Sequence, residues 1–178
     1  MTTVYLQQTS QQQGFGVSRI TDQNGKLLYH IIGDFGRPGD QLQLIAPGAE
    51  SHCKIVQTAA GFLPRFVLKL DAQELGSFGL STQFRDLLVI NHLNWLVIGN
   101  PQRRHYSVKN LTRTLARVVP TNNFRLQITY TDEKFGPAII LIIAFIDRWQ
   151  TIQSQQRYPA WQPLFSQKLA VQNIKYHA

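Results

Sequence analysis

Carboxylates are scarce in this sequence, and between Leu87 and Thr131 there are none at all. The few acids are scattered, so no pair can be nominated for general acid–base work. Cysteine is nearly missing as well. Cys53 stands alone, which excludes an intramolecular disulfide framework and a cysteine-based zinc site and suits a reducing, cytoplasmic compartment. Long apolar runs are missing too. The longest uninterrupted one, residues 137–146, would span about 15 Å as a helix, roughly half the hydrocarbon thickness of a bilayer. The opening residues Met1-Thr-Thr-Val-Tyr-Leu lack the basic start and apolar run of a secretory leader and are expected to form a first strand.

Catalytic and metal-binding signatures are lacking in the same way. His30, His52, His92, His105 and His177 form no ligand spacing, so neither metal nor cofactor is expected. No serine sits in a Gly-x-Ser-x-Gly elbow. Asp34-Phe35-Gly36 copies a kinase tripeptide without the loops that accompany it, and is expected to be a turn. Cys53 has no activating neighbours and is expected to be a small buried apolar residue. The expectation is a protein that is not an enzyme.

What is present is a globular composition with a basic excess. Hydrophobic residues make up 43% of the 178, enough to enclose one substantial core. The 18 Lys and Arg against 10 Asp and Glu give a net charge of +8, which favours phosphate-bearing partners.

Alternation with period two dominates up to Tyr130. Leu42 and Leu44, Phe66, Leu68 and Leu70, and Leu126, Ile128 and Tyr130 each alternate with polar or outward residues, as half-buried strands do. Asn24-Gly25 marks a hairpin between Gly16–Ile20 and Leu27–Ile32, and Arg37–Asp40, Pro47-Gly48 and Asn100-Pro101 mark further turns. Many short strands joined by tight turns predict an antiparallel barrel or sandwich. The segment 137–150 breaks the pattern. Its first ten residues are apolar on every side, Pro137 suits a first helical turn, Asp132 and Glu133 precede it, and Arg148 lies toward its end. A helix apolar all round must be enclosed, and here the enclosing object would be the barrel. Asn110–Pro120 fits two readings: as a strand it mixes Leu111, Arg113, Leu115 and Arg117 on one face, and as a helix it segregates them.

Several of these residues resemble a known family. Phe15–Tyr29 looks like the opening hairpin of LURP-one-related proteins, of the tubby C-terminal-like superfamily. Gly33-Asp34-Phe35, Gly39–Ile45 and Phe62–Leu68 resemble the elements that follow, and the apolar helix ending in Ile146-Asp147-Arg148 is similar to the family's core helix. The resemblance covers residues 3–150. It implies a closed antiparallel barrel of about twelve strands around the helix, an architecture shared with phospholipid scramblases, and it favours the strand for Asn110–Pro120. The expected division is residues 1–150 as barrel and core helix, and 151–178 as a tail. The tail's aromatics (Tyr158, Trp161, Phe165, Tyr176) are expected to pack on the barrel, with a final strand through Lys168–Tyr176 or docking on a protein partner as the alternatives.

The functional expectation rests on the resemblance and on the acid-free stretch. Tubby domains bind phosphoinositides through basic residues. By that analogy the chain is expected to be a binding or scaffold protein that recognises anionic phospholipid headgroups at a membrane surface, without a transmembrane span. The candidate residues are Arg103, Arg104, Lys109, Arg113, Arg117 and Arg125. The alternative is sequence-independent nucleic-acid binding through the basic stretch 103–125, with Trp95 or Tyr106 stacking on bases.

Overall fold

A computed structural model describes residues 1–8, 17–49, 51–61, 63–80, 87–123 and 125–157. Phe62, most of the glutamine cluster and residues 158–178 of the expected tail lie outside the described residues.

Twelve strands follow one another before a single helix. They are β1 (Thr2–Gln8), β2 (Ser18–Thr21), β3 (Leu27–Gly33), β4 (Gln41–Ile45), β5 (Ser51–Ala59), β6 (Arg65–Leu70), β7 (Gln73–Gly79), β8 (Leu87–Ile90), β9 (Trp95–Asn100), β10 (His105–Lys109), β11 (Thr114–Pro120) and β12 (Leu126–Tyr130), with α1 at Gly136–Arg157. All pair antiparallel in one sheet of order β7-β6-β5-β4-β3-β2-β1-β12-β11-β10-β9-β8. The sheet therefore consists of two meanders joined where β1 meets β12, Thr2 opposite Tyr130 and Leu6 opposite Leu126. It curls into a nearly closed barrel around α1. The two edge strands approach at a seam where the Asn91 N–H donates to the Ser77 carbonyl at 2.9 Å. β-Bulges interrupt the register of β2–β3, β4–β5, β5–β6, β6–β7 and β10–β11, adding the local twist that closure requires.

The period-two reading holds where it was strongest. Leu42, Leu44, Phe66, Leu68, Leu126 and Ile128 are all at or below 3% exposure and point inward, while Leu70 is only partly buried. They meet the helix, whose residues Ile139–Ile143 and Phe145 are fully buried on every side. Phe145 packs against Phe66, Phe78 and Phe35 with ring centroids 4.7–5.1 Å apart. Phe35 lies in the irregular stretch that follows β3, and the turn itself falls at Arg37–Asp40 rather than on Asp34–Gly36; the Phe35 ring plugs one end of the barrel.

The helix starts where the sequence suggested. Pro137 lies in the first turn, where its missing N–H is no loss. Gly136 is needed there: a Cβ would stand 2.8 Å from the Tyr130 ring, so only glycine lets the helix begin this close to β12. The helix ends later than expected, at Arg157 rather than near residue 150. Residues 148–157 contain neither proline nor glycine, and Pro159 first disfavours helix at the residue before it. The first residues of the expected tail are thus continuous with the core helix. At 22 residues, about 33 Å, α1 is longer than the barrel that holds it.

The strand reading of Asn110–Pro120 holds from Thr114 onward, where a bulge removes the awkward facing, while residues 110–113 form the preceding turn. Val108 pairs with Ala116 and Lys109 with Thr114, leaving Leu115 as the extra residue. Both Leu115 and Ala116 are then buried, after which Arg117 turns outward and Val118 inward. Leu111 lies outside the strand in the β10–β11 turn and is 79% exposed.

Register assigns the following described turns to one of two ends. The turns at 22–26, 46–49, 71–72, 91–94, 110–113 and 131–135 surround the start of α1, at the entry end. The turns at 34–40, 101–104 and 121–125 surround the stretch where α1 leaves, at the exit end.

Candidate functional site on the outer wall

The alternation that buries Tyr106, Val108 and Val118 places His105, Ser107, Lys109 and Arg117 on the outer face of β10 and β11. Ser107 stands directly opposite Arg117 across the pair. These side chains, with Thr114 and Val119, line a depression of about 200 Å³. No carboxylate lines it. A cationic lysine and guanidinium, an imidazole and two hydroxyls thus share one small open hollow. The inventory is rich in donors for an anion and holds no group that would repel one. The volume lies below the usual range for drug-sized ligands and suits a single compact charged group.

Two of the six candidate residues, Lys109 and Arg117, come together here. The other four do not join them. Arg103 is exposed in the exit-end turn, its N–H held by Asn100 Oδ1 at 2.8 Å. Arg104 follows with a left-handed backbone (φ 56°) and sends its Nε to Asp147 Oδ1 at 3.0 Å. Arg113 is at the entry end, paired with Asp132 at 3.3 Å. Arg125 returns to the exit end, its guanidinium 5.1 Å from the Tyr5 ring centroid. The linear stretch is therefore distributed over both ends and one wall of the barrel. Ser107 and Thr114 carried no signal in the sequence, since hydroxyl residues in strands are ordinary; His105 was visible only as part of the acid-free stretch.

The aromatic partners expected for nucleic-acid stacking are elsewhere. Trp95 and Tyr106 are 4% and 3% exposed and face the core, because they share the inward parity of Val97 and Val108. Trp95 packs edge-on against Phe135 at 5.7 Å. Burial raises the Tyr106 phenol well above its ordinary pKa, and Asp147 adds to the shift. Neither ring offers a face to a base, which removes the platform that the nucleic-acid reading needed.

Asp147 itself is 5% exposed midway along α1, near the exit end of the barrel, where the neighbouring Arg148 donates to the Gly33 carbonyl. Burial lowers the Arg148 pKa, against the opposing pull of Asp34 and Asp147. These groups fasten the helix to the barrel. Cys53 is fully buried in β5, and burial, with Asp71 adding, pushes its thiol up to about 12, which withholds the thiolate needed for nucleophilic attack. Among the described residues no group of three or more His, Cys, Asp or Glu is placed to hold a metal ion.

The architecture has a solved counterpart. The X-ray structure of an Arabidopsis thaliana protein of the LURP-one-related family superposes with a TM-score of 0.53, covering 83% of this chain and 93% of that one at 15% sequence identity. The two chains share a fold. No family model and no curated protein matches the chain. At such identity the likeness speaks for the barrel and its helix and leaves the ligand to be argued from the wall described above. Among the described residues, no helix is long and apolar enough to cross a membrane.

Proposed function

We propose that this chain is a LURP-one-related, tubby-like binding protein, without catalytic activity, that acts in the cytoplasm at a membrane face. It takes the phosphate of an anionic phospholipid headgroup into the hollow on β10 and β11. The observation that carries this reading is the convergence of Lys109, Arg117 and His105 around a space with no carboxylate in its lining. Arg117 supplies a planar fork suited to phosphate oxygens, Lys109 a mobile point charge, and Ser107 and Thr114 short-range donors. The small volume favours a headgroup over a whole lipid, so the acyl chains would stay in the bilayer and attachment would be peripheral.

Co-sedimentation with vesicles tests the proposal. Phosphatidylcholine vesicles are compared with vesicles containing phosphatidylserine or a phosphoinositide, at near-physiological salt. The double variant K109E/R117E is expected to bind phosphoinositide vesicles at least about tenfold more weakly than the parent. Equal binding by parent and variant would remove the headgroup assignment. Displacement of the parent from vesicles by competing DNA would transfer the hollow to a nucleic-acid backbone instead.

A further inference from the structure

The two ends of the barrel differ in charge. At the exit end, arginines come from five separate places in the chain: Arg19 at the start of β2, Arg37 between β3 and β4, Arg65 at the start of β6, Arg103 between β9 and β10, and Arg125 between β11 and β12. The first four are exposed and Arg125 is half-buried over Tyr5. Among the described residues the acids at this end are fewer, and each is held locally. Asp34 Oδ1 accepts the Phe35 N–H and Asp40 Oδ2 the Arg37 N–H, each at 2.8 Å, and Asp147 is buried against Arg104. The described residues of α1 beyond Asp147 add no acid. At the entry end the turns hold Asp22, Asp71, Asp132 and Glu133 beside Lys26, Arg113 and Lys134, a near balance.

We infer that the exit end is the face this barrel lays against an anionic lipid bilayer. The inference rests on the headgroup reading above and gives it an orientation. Twelve strands about 4.8 Å apart, tilted about 40° as barrel closure requires, make a ring roughly 24 Å across at the backbone, and the five arginines are spaced around that ring. Charges distributed around a disc match a plane of many phosphates. A polynucleotide is a track, and binding it calls for a linear groove with stacking faces, which the inward Trp95 and Tyr106 do not provide. The choice of arginine also fits, since each guanidinium can bridge two phosphate oxygens. The asymmetry between the ends orients the molecule as it approaches a negative surface. The hollow begins at His105, the first residue of β10 at this same end, so a bilayer there brings headgroups to its upper rim.

Three protein variants and two labels test the orientation on vesicles of phosphatidylcholine with phosphatidylserine or with a phosphoinositide, matched for surface charge. R37E/R65E/R103E is expected to lose at least about tenfold in binding to both anionic compositions while keeping whatever preference the parent shows between them. K109E/R117E is expected to lose the preference for phosphoinositide, and K26E/K134E at the entry end to bind within about twofold of the parent. Because the three sets fail in different ways, loss of the headgroup reading and loss of the orientation are separable. Independently, Gln102→Cys at the exit end and Gln23→Cys at the entry end are labelled with an environment-sensitive fluorophore, Cys53 being buried. The Gln102 label is expected to shift to the blue on vesicles and the Gln23 label to stay unchanged. Parent-like binding by R37E/R65E/R103E, or a response at Gln23 in place of Gln102, would overturn the inference. So would tighter binding of DNA than of vesicles through the same arginines.

Discussion

The β10–β11 pair has two faces made by the same residues in alternation, and they have been put to opposite uses. Inward, Tyr106, Val108, Ala116 and Val118 are buried against the core around α1. Outward, His105, Ser107, Lys109 and Arg117 contribute no core contact and gather donors around an open hollow. The pleat thus separates stability from recognition by the width of one backbone. Interior changes should cost stability with no direct effect on ligand choice, and wall changes should do the reverse.

The sharpest way to break that separation is at the helix. Phe145→Ala removes a ring in contact with four other aromatics and leaves a cavity, with an expected loss of about 3–5 kcal/mol in a urea or guanidinium titration. A loss under about 1 kcal/mol would mean that the core repacks freely and is no rigid support for the wall.

A smaller effect is expected at the fastening of the helix. Asp147→Asn keeps the shape and removes the charge that faces Arg104. The carboxylate is buried but the arginine side chain is 38% exposed, so solvent screening reduces the loss to about 1–2 kcal/mol. The denaturation midpoint gives the value, and no change would show that Arg104 is served equally well by water.

Cys53 probes the interior by pH. In the unfolded chain a thiol ionises near ~8.5, whereas the folded protein holds its proton to about 12. Between those values the unfolded chain has lost a proton that the native one keeps, so this group makes stability fall as pH rises. Maleimide at pH 8 should leave the native protein unmodified and label it once denaturant is added. Rapid native labelling would mean that β5 opens readily.

The smallest stability effect belongs to the outer wall. K109E/R117E should unfold within about 0.5 kcal/mol of the parent, since both side chains lie outside the core. A larger loss would show that the hollow is structural and would undercut its use as a binding site.

Much of the inner face was legible in the sequence because burial is written in local periodicity: Leu42 and Leu44, Phe66 and Leu68, and the uniformly apolar Ile139–Phe145. The end of the helix was less legible. Its apolar run stops near Ile146, and the turn beyond is held by Asp147 with Arg104, Arg148 with the Gly33 carbonyl and Trp149 against Phe35 and Phe145, contacts with distant residues that no local pattern announces. The bulge at Leu115 was hidden because it exists only against β10. The site was hidden more deeply. Lys109 and Arg117 stood in the basic stretch, but nothing local separates them from Arg104, which reaches the core through a left-handed backbone, or from Arg113, which finds Asp132. Which basic residues share a neighbourhood is settled by the register and bulge of the β10–β11 hairpin and by which acids the rest of the fold brings near, and a linear count of charge contains no register.

The join between β1 and β12 sets an order of assembly. The first strand can pair with β2 early, but its second partner, β12, arrives only after nearly all of the barrel has been synthesised, and the helix that fills the interior comes later still. Until then each meander holds an apolar face with nothing to cover it and unpaired edge strands. Pairing over so long a span of chain makes for slow folding, and the exposed edges and faces invite association between chains. Once Ile139–Phe145 enters, both hazards are removed together. A chain stopped just short of Gly136 would have its full set of strands and little of its solubility, which makes the helix the step on which productive folding of the whole barrel depends.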